Sequence, residues 1–218
     1  MYDLIPGDVI SGNIAFNGFY EWDLTSWIAE HATNGKFLVD VGANMGYFSL
    51  LWAGLSKAGR VIAFEAAPRN IGLFQNNIER NQLEDRITLI PKAAGDHAGT
   101  VTFDVGPAEQ SGWGGISATP SATTITVPMV RIDEEIPDTK IDVLKIDVEG
   151  ADTWVLFGCE RLLKSRRIQT IYFEQRPRRM ERLGIAPGDA QKFLQDIGYE
   201  YHPMEAGDNM WIAYPHKA

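Results

Sequence analysis

Carboxylates gather at two places where apolar runs end. In DVLKIDVEGAD (142–152) the run stops at Asp147, Glu149 and Asp152, and in IQTIYFEQ (168–175) it stops at Glu174 and Gln175. Oxygen-bearing side chains in such clusters either take a proton from a hydroxyl or bind a hard cation. A third stretch, VDVGANMGYFSL (39–50), passes from an apolar run into a helical pattern through Gly42-Ala43-Asn44-Met45-Gly46. Glycine lets the backbone turn tightly and approach a ligand, and a helix N-terminus offers free N–H groups. Glu65 ends the next apolar run, 19 residues after Gly46. An acid at that place accepts hydrogen bonds from a ribose diol.

Two ligands meet these demands to different degrees. A dinucleotide needs G-x-G-x-x-G, so that its pyrophosphate rests on the helix N-terminus. Here Asn44 and Tyr47 stand at two of the glycine positions, leaving G-x-x-x-G, which suits a ligand without a pyrophosphate. Asp40, just before the loop, repels phosphate and suits an ammonium or sulfonium. S-adenosylmethionine carries both cations and a ribose. A glycine turn with no ligand is the plain alternative, and Asp40 and Glu65 at this spacing weigh against it.

These residues need elements to hold them. KFLVDVG (36–42) reads as a buried strand and YFSLLWAGLSKAG (47–59) as a helix closed by Gly59. RVIAFEA is a second strand, followed by a helix with Pro68 in its first turn. RITLIPKA (86–93) is a third strand, GTVTFDV (99–105) a fourth extended segment, and GPAEQSGWGGISATPSA a loop. TTITVPMVRIDEEI is extended again. KIDVLKID (140–147) is a further buried strand, the helix 150–164 follows, then strand 168–175 and a helical stretch to Gly198. YEYHPMEAGDNMWIAYP reads as a terminal hairpin around an acidic glycine turn. This alternation predicts an α/β fold, an open parallel sheet with helices on both faces, in one domain over 1–218.

The chain has 20 basic and 29 acidic residues, a formal net charge of −9. That argues against nucleic acid or an anionic membrane as partner and favours a small cationic ligand. Cys159 is alone, so no intramolecular disulfide forms, and the reading is a reducing, cytoplasmic location. No apolar run approaches the roughly 20 residues needed to span a bilayer, and the N-terminus lacks a targeting pattern.

VDVGANMGYFSL, VIAFEAAP, KAAGD and IDVLKIDVEGAD, in this order, resemble the FkbM-type family of S-adenosylmethionine-dependent methyltransferases. The resemblance runs from about Tyr20 to Tyr214. It implies a Rossmann-like class I methyltransferase fold, a seven-stranded sheet of order 3-2-1-4-5-7-6, and methyl transfer to a hydroxyl of a sugar or secondary metabolite. Matched by motif, Asp40, Gly42, Asn44 and Gly46 hold the methionine part, Glu65 the ribose, and Ala94 borders the adenine, with Ala43, Ala66 and Asp147 also in the cofactor-binding set. Glu21, in GFYEWD, matches a Tyr-Glu pair near the cofactor, within an N-terminal segment (1–35) that covers it ahead of the core (36–215). Ala67 departs from the family, which more often has a polar residue there.

The acids divide by topology. If strand order reverses between strands 36–42 and 140–147, their ends flank the ligand crevice and Asp147 lies beside the glycine loop. Asp152 reads as a solvated first-turn acid favoured by the helix dipole, by roughly 0.3–1 kcal/mol; Glu149 is open between that and proton transfer. An alkyl hydroxyl attacking a methyl needs a base or an acidifying cation. Either Asp147 or Glu149 takes the proton while Glu174 orients the acceptor, or Asp147, Glu174 and Gln175 bind Mg²⁺ or another hard divalent cation. The second layout resembles the metal site of the catechol-type methyltransferases. His202 is a third candidate base. On the acceptor side, Trp113 offers a stacking ring and Arg176, with Arg178, Arg179 and Arg182, a grip for a phosphate or carboxylate; a solvated helix face is the alternative. Competing functions are a non-catalytic S-adenosylmethionine sensor or scaffold, a methyltransferase on another acceptor class, and an NAD-dependent enzyme.

Overall fold

The computed structural model describes residues 1–204 and 209–216. Two helices open the chain, α1 (Val9–Asn17) and α2 (Trp22–His31), where the sequence alone assigned no element. Asp8 caps α1, its Oδ2 accepting from Ser11 N–H at 2.8 Å, and Gly18 closes it in the left-handed conformation. Strand and helix then alternate through β1 (Phe37–Val41), α3 (Tyr47–Leu55), β2 (Arg60–Phe64), α4 (Pro68–Arg80) and β3 (Ile87–Ile90). Pro68 occupies the first turn of α4, as predicted.

The chain next leaves the main sheet. β4 (Ala93–Ala94), β5 (Gly99–Asp104), β6 (Gly115–Ile116) and β7 (Thr124–Val130) form a small second sheet of order β4-β7-β5-β6. The extended segment 99–105 therefore does not continue the parallel alternation. β5 is largely exposed or half-buried, which suits a sheet wetted on one face rather than a sandwiched parallel strand. The loop before β6 carries one 3-10 turn, Ser111–Trp113.

The chain returns through α5 (Ile132–Glu135) and β8 (Ile141–Ile146), then α6 (Asp152–Phe157), α7 (Glu160–Lys164), β9 (Ile168–Glu174), α8 (Pro177–Arg182) and α9 (Asp189–Asp196). The single helix expected over 150–164 is two, α6 and α7. Buried Asp133 causes the break by capping α7: its Oδ2 accepts from Arg161 N–H at 3.0 Å and its Oδ1 from Leu162 N–H at 3.1 Å. β10 (Tyr199–Pro203) and β11 (Met210–Pro215) pair antiparallel as the expected hairpin; its acidic turn lies outside the described residues.

The main sheet runs β10-β11-β9-β8-β1-β2-β3, parallel except for β11. Counting only these strands, that is the order 3-2-1-4-5-7-6. Side chains alternate across it. Leu38, Val61 and Val143 face Ile28 of α2, Trp52 of α3 and Phe74 of α4. Val39, Leu144 and Ile171 face Val155, Leu162 and Leu194 on the other side. By the same alternation Asp40 and Lys145, register partners on β1 and β8, both point into the α2–α3 layer.

Asp8 also ties α1 to the second sheet's loop, its Oδ1 accepting from Ser111 N–H at 2.7 Å. Asp8→Ala removes a cap and this tether together. The expected loss is about 1–2 kcal/mol, read in urea unfolding as a lower midpoint at unchanged m-value.

Candidate active site

β1 has β2 on one side and β8 on the other, so the connections from its neighbours diverge at its C-terminal end and leave a crevice there. A cleft of about 960 Å³, solvent included, opens at this point. The sequence dictates its floor. Gly42 has φ +76°, and a Cβ added to it would lie 1.9 Å from the Asp147 carbonyl oxygen. The two strand ends are drawn together by Asp147 N–H, which donates to Val41 O at 3.0 Å. Gly46, at φ +89°, serves packing instead: its Cβ would strike the Phe74 ring at 2.1 Å, and it is not in the cleft wall. Gly42, Ala43 and Asn44 do line the cleft.

Glu65 braces that loop. Its Oε2 accepts from Asn44 N–H at 2.8 Å, and its Oε1 from Ala66 and Ala67 N–H at 3.0 and 2.8 Å. Burial pushes this carboxyl up, and the three N–H groups pull it back. A carboxylate offers about four lone-pair sites, so beyond these three N–H groups Glu65, which lines the cleft, has capacity for a further donor such as a ribose hydroxyl. Ala66, Ala67, Ala93 and Ala94 form an apolar wall beside it.

Asp40 lies elsewhere than expected. It is fully buried beneath the floor, its Oδ2 accepting from Ser49 Oγ at 2.7 Å and its Oδ1 3.3 Å from Lys145 Nζ. It does not line the cleft; strand alternation turns it into the helix layer. Lys145 does reach the cleft wall, with Nζ 3.8 Å from Asp147 Oδ2 and 5.3 Å from the Phe48 ring centroid. Burial lowers its pKa, but the carboxylates of Asp40, Asp147 and Glu21 outweigh that and hold the ammonium above the ordinary lysine value.

Asp147 and Glu149 both face the cleft. Asp147 is not an N-cap, because the helix starts five residues later, at Asp152. Glu149 has φ +58°, a conformation that costs a non-glycine residue of order 1–3 kcal/mol and clusters at functional sites. Burial first, then the Asp147 charge, raise its carboxyl to about 7 against the opposing Arg176 and Arg179. Glu149 Oε2 is 3.1 Å from Arg179 Nε and 3.4 Å from Arg176 Nε.

Glu174 and Gln175 are buried behind this layer and do not line the cleft. The Arg176 guanidinium is hydrogen-bonded to the Glu174 carboxylate, and Gln175 Nε2 donates to Glu174 O at 3.0 Å. The trio of Asp147, Glu174 and Gln175 is therefore a poor fit for a divalent cation, since a guanidinium already holds one of its two carboxylates. Among the described residues no cluster of three His, Cys, Asp or Glu has metal-binding geometry. Asp152 is also corrected. It does stand in the first turn of α6 but is fully buried, its Oδ1 accepting from Glu174 N–H at 3.0 Å. Burial and the charges of Asp147 and Glu174 raise its pKa well above the usual carboxyl range.

The N-terminal segment and the second sheet's loop roof the cleft. Glu21, at φ +45°, lines it, and its Oε2 is buried with no hydrogen-bond partner. Burial and then Asp147 raise this carboxyl too. Ile10, Tyr20, Ser111, Gly112 and Gly114 complete the cover. Trp113 is displaced from it: its neighbours line the cleft while the residue itself is 57% exposed and not in the wall. His202 stands away from the cleft, exposed on β10, the far edge strand, with β11 and β9 between it and β8. Arg176 does reach the cleft wall. Lys145 went unread in the sequence, although a lysine inside the apolar run VLKI signals a buried, paired cation.

The chain matches the family model for the methyltransferase FkbM domain over residues 40–201. It is 27% identical to hexuronic acid methyltransferase AglP of Haloferax volcanii, over 81% of this chain and 68% of that protein. It is 25% identical to methyltransferase sdnD of Sordaria araneosa, over 77% of this chain and 74% of that one. Among solved structures it resembles the methyltransferase FkbM of Methylobacillus flagellatus, with a TM-score of 0.57 and 19% identity, over 87% of this chain. It spans about half the length of that structure's chain, 50%. No helix among the described residues is long and apolar enough to cross a membrane. The family match covers most of the chain and contains the glycine loop, Glu65, Asp147, Glu149 and Glu174, so this protein belongs to the FkbM family of S-adenosylmethionine-dependent methyltransferases.

Proposed function

We propose that the protein transfers a methyl group from S-adenosylmethionine to a hydroxyl oxygen of a small acceptor, a sugar or secondary metabolite. The observation that carries this reading is Glu149: a carboxylate near neutrality, in a left-handed conformation, on the wall of a glycine-floored cleft. The cleft suits the donor. Gly42 leaves a close-approach cradle, Glu65 keeps a lone pair for a ribose hydroxyl, and Glu21 and Asp147 offer negative charge to the cationic methionine end. The wall from Ala66 to Ala94 takes the adenine. One domain holds both ligands, with residues 1–35 covering the donor, and Cys159 as a buried thiol agrees with a cytoplasmic setting.

S-adenosylmethionine supplies an electrophilic methyl on a sulfonium. Glu149 accepts the acceptor's hydroxyl proton as the new C–O bond forms and the C–S bond breaks, its electron pair going to sulfur. A base working at neutral pH is most effective with a pKa near 7. Asp147 keeps Glu149 basic by its negative charge, and Arg176 and Arg179 fix the carboxylate. Arg176 is also placed to meet an anionic group on the acceptor. An acidic sugar fits this, in keeping with the hexuronic acid in the name of AglP. Glu174 acts through Arg176, and proton removal needs no divalent cation.

Several outcomes test the reading. Glu149→Gln lowers kcat by about 10²–10⁴-fold while S-adenosylhomocysteine still binds in calorimetry; a variant as fast as the parent, on a panel of glycosides and uronic acids, removes Glu149 as base. In the parent, kcat rises with pH through about 7, because the raised carboxyl must lose its proton to act, and that limb disappears in the variant. EDTA leaves turnover unchanged; loss restored by Mg²⁺ returns the mechanism to a cation. Gly42→Ala forces a methyl into the Asp147 carbonyl, so donor affinity falls at least tenfold and the melting temperature drops. Tight donor binding with transfer to no acceptor indicates a sensor.

A further inference from the structure

Lys145 is the one cleft-lining residue whose burial, charge and unused hydrogen-bonding capacity the proposed reaction leaves without a task. It is 1% exposed, sits in the middle of an apolar strand, and has three ammonium donors. Among the described residues Asp40 Oδ1, 3.3 Å from Nζ, is the nearest carboxylate oxygen, and it is buried without a hydrogen-bond partner of its own. The second carboxylate, Asp147 Oδ2, stands 3.8 Å away on the cleft side. An ammonium placed between one carboxylate below the floor and another in the wall attracts both, and in a buried site this attraction is little screened.

We infer that Lys145 is a positioning residue for the methyl donor. It acts through Asp147, and the inference rests on the methyltransferase reading above. Asp40, itself held by the Ser49 hydroxyl, anchors the ammonium from beneath, the Phe48 ring flanks it, and the strand pairing Asp40↔Lys145 fixes its height under the cleft. From there it turns the Asp147 carboxylate to one rotamer toward the cationic end of the donor. Without it, Asp40, Asp147 and Glu21 face one another with no intervening cation, and the Asp147 carboxylate swings away. The tie between Asp147 N–H and Val41 O places only the backbone; the side chain's direction comes from Lys145.

A mutant cycle separates this from a purely structural ion pair. Lys145→Met alone leaves Asp40 buried without a cation and loses stability, so the informative protein is the double variant Asp40→Asn with Lys145→Met, in which both charges are gone. The expected result is a melting temperature near that of the parent, at least tenfold weaker S-adenosylhomocysteine binding in calorimetry, and a matching rise in KM for the donor with kcat less affected. Asp40→Asn alone, which keeps the ammonium, binds more tightly than the double variant. A double variant that binds as tightly as the parent overturns the inference and leaves Lys145 as a neutraliser of Asp40. The intact protein gives a second readout that needs no lysine variant. With ¹³Cε-labelled lysine, the Lys145 resonance shifts when S-adenosylhomocysteine is added, and shifts less in Asp147→Asn; a resonance unmoved in the parent also overturns it. Failure of the parent itself to bind S-adenosylhomocysteine instead defeats the methyltransferase reading, so the two failures are distinguishable.

Discussion

The meeting of the β1 and β8 ends is the constraint on which the rest of the site depends. Asp147 N–H bonds to Val41 O, and Gly42 comes so close to the Asp147 carbonyl that no side chain fits between them. This contact sets the depth of the cleft floor and brings two stretches about a hundred residues apart in sequence to one point. It also orders the charges. Residues one step back from the junction, Asp40 and Lys145, turn under the floor, while residues at and beyond it, Asp147 and Glu149, turn into the cleft. A shift of one residue in the register of β8 would turn Lys145 to the opposite face of the sheet, away from Asp40.

The electrostatics follow from that arrangement. Glu21 and Glu149 are partly withdrawn from water in one cleft, and burial first, then the Asp147 charge, makes both harder to ionise. Lys145 on one side and Arg176 with Arg179 on the other relieve the crowding without neutralising it. Three of the five non-glycine residues with positive φ among the described residues, Glu21, Asn44 and Glu149, lie on this cleft. Their strain is held by the surrounding packing, as expected where a chain is shaped for a ligand rather than for its own comfort.

Much of this was legible in the sequence because it depends on local pattern. Apolar runs ending in Gly42, Glu65 and Asp147 gave the parallel strands and their ligand-facing ends, and Pro68 marked its helix. What could not be read depends on direction and distance. A period-two strand contains the information that Asp40 points away from the cleft, yet only the identity of the covering layer decides which face is which. Glu174 and Gln175 stand at the expected sheet edge, but Arg176 folds back on the glutamate and turns a cation-binding pattern into an ion pair. Asp152 reads as a surface acid until α6 is seen packed against β9. β5 shows alternation too weak to tell a second sheet from the first.

That second sheet has a consequence for how the family diversifies. The main sheet supplies the floor and the acids, while the roof comes from the loop between β5 and β6 and from α1. The roof is fastened by a few contacts: Asp8 to Ser111, Asn70 Nδ2 to Ser111 O at 3.1 Å, and Arg69 to the carbonyls of residues 107–110. Insertions in this loop can reshape the acceptor's entrance without disturbing a strand of the chemical core. The roof and the floor of the cleft are thus built by separate parts of the chain, and only the floor is set by strand register.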